Sequence, residues 1–318
     1  MAGRGDALVM IGNFDGVHRG HQAVLAAVRR LAAARGLRPT LLTFQPHPLV
    51  ALGRKAPPLL TTLDRKRELL RRYCPNIEIA VREFDRGFAA LRPAEFARTV
   101  LVEEIGAAAV MVGTNFRFGH KRSGDFVALG RLGAELGFEA HAEPLVADAR
   151  GSWSSSRIRG LVAAGRAERA SELLGRPHML SGPVVPGDRR GRTLGFPTCN
   201  ISGPPEMLPA YGAYAVLVDL QPAAGTPARA LAPGVANIGI QPTVAGGERA
   251  PLVEVHLLGF DGDLYGQLLR VHLVARLREE RRCESLEVLR TQIGADVEQA
   301  RDLLAHRKPD PDAGGAWA

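Results

Sequence analysis

For roughly its first 175 residues the chain alternates short apolar runs with stretches of helical period, and this narrows its architecture more than any other feature. "ALVMIGNF" reads as a buried strand. "QAVLAAVRRLAAARG" then sets Val24, Leu25, Val28, Leu31 and Ala32 at helical spacing and stops at Gly36. "PTLLTF", "NIEIAVREF", "AAAVMVGTNF" and "FEAHAEPLV" supply further strands. Between and after them, "PAEFARTVLVEEIG", "DFVALGRLGAELG", "SSRIRGLVAAG" and "AERASELLG" read as helices, the first with Pro93 near its start. Strand-helix alternation of this kind predicts a Rossmann-like α/β domain, a parallel sheet with helices on both faces.

The texture changes near "GRPHMLSGPVVPGD". From there to about residue 275 come short β-rich runs between Gly and Pro, which predict an antiparallel β-barrel. "QPAAGTPARALAPG" is expected to be a long hairpin loop, and "ESLEVLRTQIGADVEQARDLLAHR" an amphipathic C-terminal helix or helix pair. The expected domains are 1–178 (α/β) and 179–306 (barrel with C-terminal helix), with a Pro/Gly-rich tail, 307–318, expected to be disordered.

A chain of 318 residues with 46% apolar content can build two cores. Its net charge of +8 comes from arginine scattered among acids, with denser spots at Arg65-Lys66-Arg67, Arg189-Arg190-x-Arg192 and Arg276 to Arg282. With aromatic content at 5%, nothing interleaves rings with these cations, so small phosphates rank above polynucleotides as partners. Cys74, Cys199 and Cys283 make no CxxC pair, and neither a signal peptide nor a membrane span is evident. A cytoplasmic protein is expected, with no nucleic-acid or membrane partner; the sequence leaves its oligomeric state open.

"GNFDGVHRGHQ" places His18 and His21 three residues apart at a helix start, directly after the first strand. Both can project from one face. The free N–H groups of a helix N-terminus favour phosphate, and Gly12, Gly16 and Gly20 let backbone approach a ligand. A lone HxxH pair usually marks nothing more than a polar loop, but the whole strand-loop-helix string is specific. Zinc is a poor alternative, since no third ligand stands at suggestive spacing.

No GxxxxGK[ST] loop occurs, so a kinase here would hold ATP differently. In "GRTLGFPTCN", an extended segment puts Thr198 and Asn200 on one side and Cys199 on the other. The two oxygens either satisfy a turn or meet a Mg²⁺ that arrives already bound to ATP. In "LVEVHLL", Val253, Val255 and Leu257 share one strand face, and Glu254 and His256 the other. Periodicity alone makes Glu254 solvent-facing.

"GNFDGVHRGHQ", "TFQPHP", "VGTNFRFGHKRSGD" and "SSSRIRGLVAAG" resemble the nucleotidylyltransferase module of bacterial bifunctional FAD synthetases. "GDRRGRTLGFPTCN", "GVANIG", "PTV" and "VEVHLLGFDGDLYG" resemble, in order, the riboflavin kinase module that follows it in those enzymes. The resemblance runs from about residue 8 to about 304. It implies that His18 and His21 bind ATP phosphates and stabilise the transition state, near the backbone of Gly12 to Asp15, Phe14 included. It further implies that Asn115 holds substrate and that Ser155, Ser156, Arg157 and Arg159 form a second phosphate-contacting turn. In the barrel it implies Thr198 and Asn200 as ligands of a Mg²⁺ carried with ATP, Glu254 as catalytic base, a flap through Gly187 with Arg192 near phosphate, and Arg278 near the flavin. The sequence departs from the family pattern at Gln241, Cys283, Cys199 and Ser156.

The implied chemistry is consistent with these residue types. Adenylyl transfer to FMN has a phosphate nucleophile, already anionic, and needs charge stabilisation but no base. Phosphorylating riboflavin uses an alcohol that must lose a proton, hence a carboxylate. The expected substrates are riboflavin, FMN and ATP. The rival readings are a paralog acting on a modified flavin or another phosphorylated polyol, and a non-catalytic flavin-binding sensor.

Overall fold

The computed structural model describes residues 5–144, 146–149, 151–187, 191, 194–223, 225–240, 251–281, 284–311 and 315–317. Arg192, Gln241 and Cys283 lie outside the described residues. By packing, the chain divides into two compact units, 1–57 with 63–154, and 58–62 with 155–318. The helices after residue 154 therefore pack with the second unit, whereas the sequence reading grouped them with the first.

The first unit is built on a five-stranded parallel sheet of order β3-β2-β1-β4-β5. Its strands are β1 (Ala7–Ile11), β2 (Arg38–Phe44), β3 (Glu78–Arg82), β4 (Ala107–Gly113) and β5 (Glu139–Glu143). Every residue of β1 is buried, because β1 pairs on both edges and is covered on both faces. Leu8 and Met10 pack with Leu25 and Val28 of helix α1 (Arg19–Arg35) and with Leu69 and Leu70 of α2 (Leu63–Tyr73). Ala7 and Val9 face the opposite core, with Phe96, Leu101 and Leu129. Each such buried aliphatic side chain contributes about 1.5–3 kcal/mol of transfer free energy. Helix α1 ends at Gly36 in the left-handed conformation (φ 64°), as its sequence predicts.

Two features were not legible in sequence. The "PAEFARTVLVEEIG" segment begins as an α-turn at Pro93–Glu95 but continues as a π-helix over Phe96–Glu104. Helix α2 was not read at all, because cations occupy its buried face. A further helix, α3 (Phe126–Leu136), covers the sheet beside the π-helix; it is capped by the Asp125 carboxylate and ends at Gly137.

The second unit opens with helices α4 (Ser155–Ala163) and α5 (Ala167–Leu174) and is dominated by a closed antiparallel barrel of order β10-β11-β12-β9-β8-β13. Its strands are β8 (His178–Val185), β9 (Cys199–Ile201), β10 (Gly212–Gln221), β11 (Arg229–Ile240), β12 (Pro251–Leu257) and β13 (Leu268–Glu279), with a small β6–β7 hairpin (Ala147–Asp148, Gly151–Ser152) preceding them in the first unit. Tyr214, Val216, Val253, Val255 and Val271 fill the barrel. The last helix, α6 (Leu286–Leu304), lays Val297, Ala300 and Leu304 on Ala215, Leu217 and Val235 of the outer wall. That is why all ten residues of β10 are buried.

Two expectations are corrected. The supposed long loop "QPAAGTPARALAPG" is only half loop, since β10 runs to Gln221 and β11 begins at Arg229 and pairs Ala232 and Pro233 with Val218 and Leu217. Pairing with a long neighbour overrides the weak strand propensity of Pro and Gly. The tail, expected to be disordered, is docked where it is described. Asp310 N–H donates to the Ala316 carbonyl at 2.7 Å, and Trp317 donates its backbone N–H to Asp219 and its indole N–H to the Val218 carbonyl. Asp219 in turn meets His272 at 2.8 Å, both fully buried. One tryptophan with two satisfied donors outweighs a disorder-promoting composition. Among the described residues, no helix is long and apolar enough to cross a membrane.

Candidate functional site

In the first unit the strand order reverses beside β1, so the C-terminal ends of β1 and β4 open a crevice where ligands of such sheets bind. Residues 12–18 fill the lip of that crevice. Phe14 (φ 49°), Gly16 (φ 83°) and Val17 (φ 39°) all take left-handed backbone, costly for the two non-glycines. Burial of Phe14 and Val17 in the core holds them there. The flanking glycines have specific reasons. A Cβ on Gly12 would press on the Phe14 ring at 3.2 Å, and one on Gly20 would stand 3.0 Å from the His18 imidazole.

His18 caps helix α1, its Nδ1 accepting the His21 backbone N–H at 3.4 Å. An accepting Nδ1 leaves the proton of a neutral ring on Nε2, a donor for an incoming oxygen. The His21 ring is stacked between two others, with centroids 3.6 Å from His18 and 4.4 Å from Phe14. Its Nδ1 is buried with no hydrogen-bond partner among the described residues. Burial, then the neighbouring His18 and Lys66, push the His21 pKa well below the usual histidine value, so the ring is neutral at pH 7. An anion bound here would reverse that balance.

Asp15 is buried in the same loop. Asn13 reaches His47 at 3.1 Å, and His47 Nδ1 accepts the Leu49 N–H to cap the turn Pro48–Ala51, which ties "TFQPHP" to the first motif. Asn115 stands exposed in the turn after β4.

Beside this loop lies an apolar cavity of about 670 Å³, which sequence reasoning missed. Six of the chain's eleven phenylalanines line it: Phe44, Phe84, Phe88, Phe96, Phe116 and Phe118. Phe44 and Phe84 meet edge to face at 5.3 Å, and Phe116 and Phe118 stack at 5.5 Å. Arg54, Arg117, His120 and Lys121 also line it. The shape suits a flat aromatic ligand with an anionic end. The available signal was the crowding of phenylalanines between residues 84 and 118, hidden by a low overall aromatic content.

From Ser155 onward the residues of "SSSRIRG" fall in the second unit. Helix α4 buries Ile158, leaves Ser156 exposed, and turns Arg159 so that its Nε donates to the Pro58 carbonyl at 2.7 Å. Ser155 and Arg157 are half-buried.

In the barrel, Cys199 and Ile201 pack toward the interior, so Thr198 and Asn200 face outward, as strand alternation requires. Register sets Asn200 directly opposite Glu254 on β12. Asn200 Oδ1 is buried and without a hydrogen-bond partner among the described residues. A buried carbonyl oxygen so placed fits a cation. A Cβ on Gly187 would collide with the Asn200 amide, and one on Gly191 with the Phe196 carbonyl, with Thr198 Oγ1 next at 3.1 Å. His256 Nδ1 meets the Pro197 carbonyl at 2.8 Å and steadies the segment. A second cavity of about 280 Å³ opens at Thr198 and Cys199, walled by Leu257, Phe260, Leu264 and Tyr265. Arg278 is committed to Asp296 of α6, with Nε contacts of 2.9 and 3.1 Å, and so fastens that helix to β13.

Comparison with known proteins decides the family. The family model described as FAD synthetase matches residues 2–157, and that described as riboflavin kinase matches 174–304. The bifunctional riboflavin kinase/FMN adenylyltransferase of Escherichia coli K12 is 40% identical over 303 residues, covering 95% of this chain and 94% of the relative. The chain belongs to that family. The bifunctional riboflavin kinase/FMN adenylyltransferase of Pseudomonas fluorescens is also 40% identical, over 295 residues, covering 93% of this chain and 92% of its own. A crystal structure described as a macrolide-efflux protein from Streptococcus pneumoniae has a TM-score of 0.82 at 29% identity, covering 94% of each chain. Within this bifunctional family member, the first match contains His18, His21 and the aromatic cavity, and the second contains Thr198, Asn200, Glu254 and Arg278.

Proposed function

We propose that the chain makes FAD in two steps, phosphorylating riboflavin with ATP in the barrel and adenylylating the resulting FMN at the α/β site, with release of pyrophosphate. The observation that carries this reading is the stacked His18–His21 pair at the open end of α1, flanked by a phenylalanine-lined cavity. One feature suits phosphate and the other an isoalloxazine ring, as adenylylation of FMN requires.

In the adenylyl transfer, His18 and His21 hold the phosphates of ATP through Nε2 and helix N–H groups, with the backbone of Gly12, Phe14 and Asp15 alongside. Asn115 positions FMN at the cavity mouth. Ser155, Ser156, Arg157 and Arg159, which the family resemblance reads as a phosphate-contacting turn, belong to the second unit. The FMN phosphate needs no base.

In the kinase step, Glu254 accepts the proton of the riboflavin hydroxyl as it attacks. Asn200 and Thr198 hold Mg²⁺ delivered with ATP, a reading supported by the orphaned Asn200 oxygen. Bound there, Mg²⁺ would neutralise phosphate charge. Gly187 and Arg192 belong to the flap over that nucleotide, whose base occupies the cavity walled by Phe260 and Tyr265. Arg278 keeps α6 against the flavin side. The adenylyltransferase module is taken as 1–178 and the kinase module as 179–306, and the protein as cytoplasmic, where ATP is abundant and isolated cysteines stay reduced.

Incubation with riboflavin, ATP and Mg²⁺, followed by chromatography, is expected to show FMN and then FAD. Flavin binding without either product would end the proposal.

A further inference from the structure

We infer that Lys66 is a third cation of the adenylyl-transfer site, its ammonium meeting the polyphosphate of ATP beside His18 and His21. The inference rests on the adenylyltransferase reading above and adds a residue that no motif in the sequence singled out. Lys66 lies on the buried face of α2 with Leu69 and Leu70, and only 8% of it is exposed. No hydrogen bond or ion pair holds its ammonium among the described residues. Its neighbour Arg65, equally buried, is paired with Glu68 at 2.9 Å.

Phe14 and Val17 of the loop share one core with Leu69 and Leu70, so the buried face of α2 that carries Lys66 packs against the loop of residues 12–18. The charge of Lys66 acts on both Asp15 and His21. A lysine serving only the fold would close a salt bridge on Asp15, the carboxylate whose charge acts on it. It does not. Burying a lone ammonium is costly, and burial accordingly lowers the Lys66 pKa, with Asp15 opposing. Lys66 also disfavours protonation of His21, so the two groups compete for positive charge. An anion between them relieves both effects.

The reaction supplies that anion. A phosphate oxygen of FMN attacks the α-phosphorus of ATP and forms the new P–O bond. The bond from that phosphorus to the bridging oxygen breaks, and its electron pair leaves with pyrophosphate. No proton need move, but negative charge shifts onto the departing group, where a desolvated ammonium stabilises it. Lys66 binds charge and transfers nothing.

The test uses the full chain with Lys66→Met and Lys66→Arg, assayed separately for FMN adenylylation and riboflavin phosphorylation. Lys66→Met is expected to lower kcat/KM for FAD formation by about 10²–10³-fold. The KM for FMN should change little, and riboflavin phosphorylation should stay within about twofold of wild type. Its Tm should hold or rise, because a lone buried charge has been replaced by an apolar chain of similar length. Lys66→Arg should recover part of the loss. Full FAD formation by Lys66→Met, or a fall in Tm together with both activities, would overturn the inference and leave Lys66 a folding residue. Wild-type protein that makes no FAD from FMN and ATP would instead sink the functional reading itself.

Discussion

The ring of His18 lies over that of His21 at 3.6 Å between centroids, while its Nδ1 caps the helix by taking the His21 backbone N–H. One residue thus orients the other and satisfies a terminal donor. His21→Ala is expected to reduce FAD formation by at least about 10²-fold while riboflavin phosphorylation continues. His18→Ala should do the same and also lower stability by about 1 kcal/mol through loss of the cap. Loss of both activities by a folded His21→Ala protein would refute the division of labour.

His21 is held neutral by burial and by the neighbouring His18 and Lys66. Between its depressed folded pKa and the ordinary histidine value of 6.5, the unfolded chain binds the proton more readily, so stability falls as pH drops through that window. Thermal melts from pH 8 to pH 5 should show wild type losing its advantage over His21→Asn below about pH 6.5. A constant difference across that range would show that His21 titrates normally.

Glu254 and Asn200 face each other across β12 and β9. Glu254→Gln should cut riboflavin phosphorylation by about 10²–10⁴-fold, leaving supplied FMN still convertible to FAD. Asn200→Ala should raise the Mg²⁺ concentration needed for half-maximal kinase activity without moving that for adenylylation. Equal shifts in both steps would remove Asn200 from the metal site.

The aromatic cavity predicts a binding defect. Phe84→Ala or Phe116→Ala should raise the KM for FMN about tenfold, equivalent to about 1.4 kcal/mol, while the KM for ATP holds. Quenching of flavin fluorescence on titration offers an independent check. An unchanged KM for FMN would place the flavin elsewhere.

Trp317 joins the tail to the barrel through Asp219 and Val218. Trp317→Ala is expected to destabilise the second unit by about 2 kcal/mol, read as a lower denaturant midpoint for kinase inactivation. Asp219→Asn, which disturbs the buried pair with His272, should cost more. A midpoint unmoved by either change would mean that the tail contributes nothing to the barrel.

The alternation of apolar runs and helical periods made the parallel sheet legible, since β1 and α1 each announce themselves within a few residues. The same holds for the barrel, whose strands alternate cleanly around Val253 and Val255. Helix α2 was hidden because its buried face carries Arg65 and Lys66, and a cation in an apolar stripe destroys the periodic signal. The π-helix was hidden because one extra residue per turn leaves no mark on a short window. The tail was misread because composition weighs every residue alike, whereas a single docked indole decides the matter.

By itself the sequence determined the order of two architectures, the pairing of His18 with His21 on one helix turn, and the outward face shared by Thr198 and Asn200. These are local matters, governed by periods of 3.6 and 2 residues that any short segment carries. Only the tertiary structure decided that His21 is sandwiched and neutral, that six phenylalanines from distant segments wall one cavity, that Asn200 stands opposite Glu254, and that Lys66 is buried with no ion pair among the described residues. Each of those depends on desolvation and on neighbours far away in the chain, and neither quantity exists until the chain has folded.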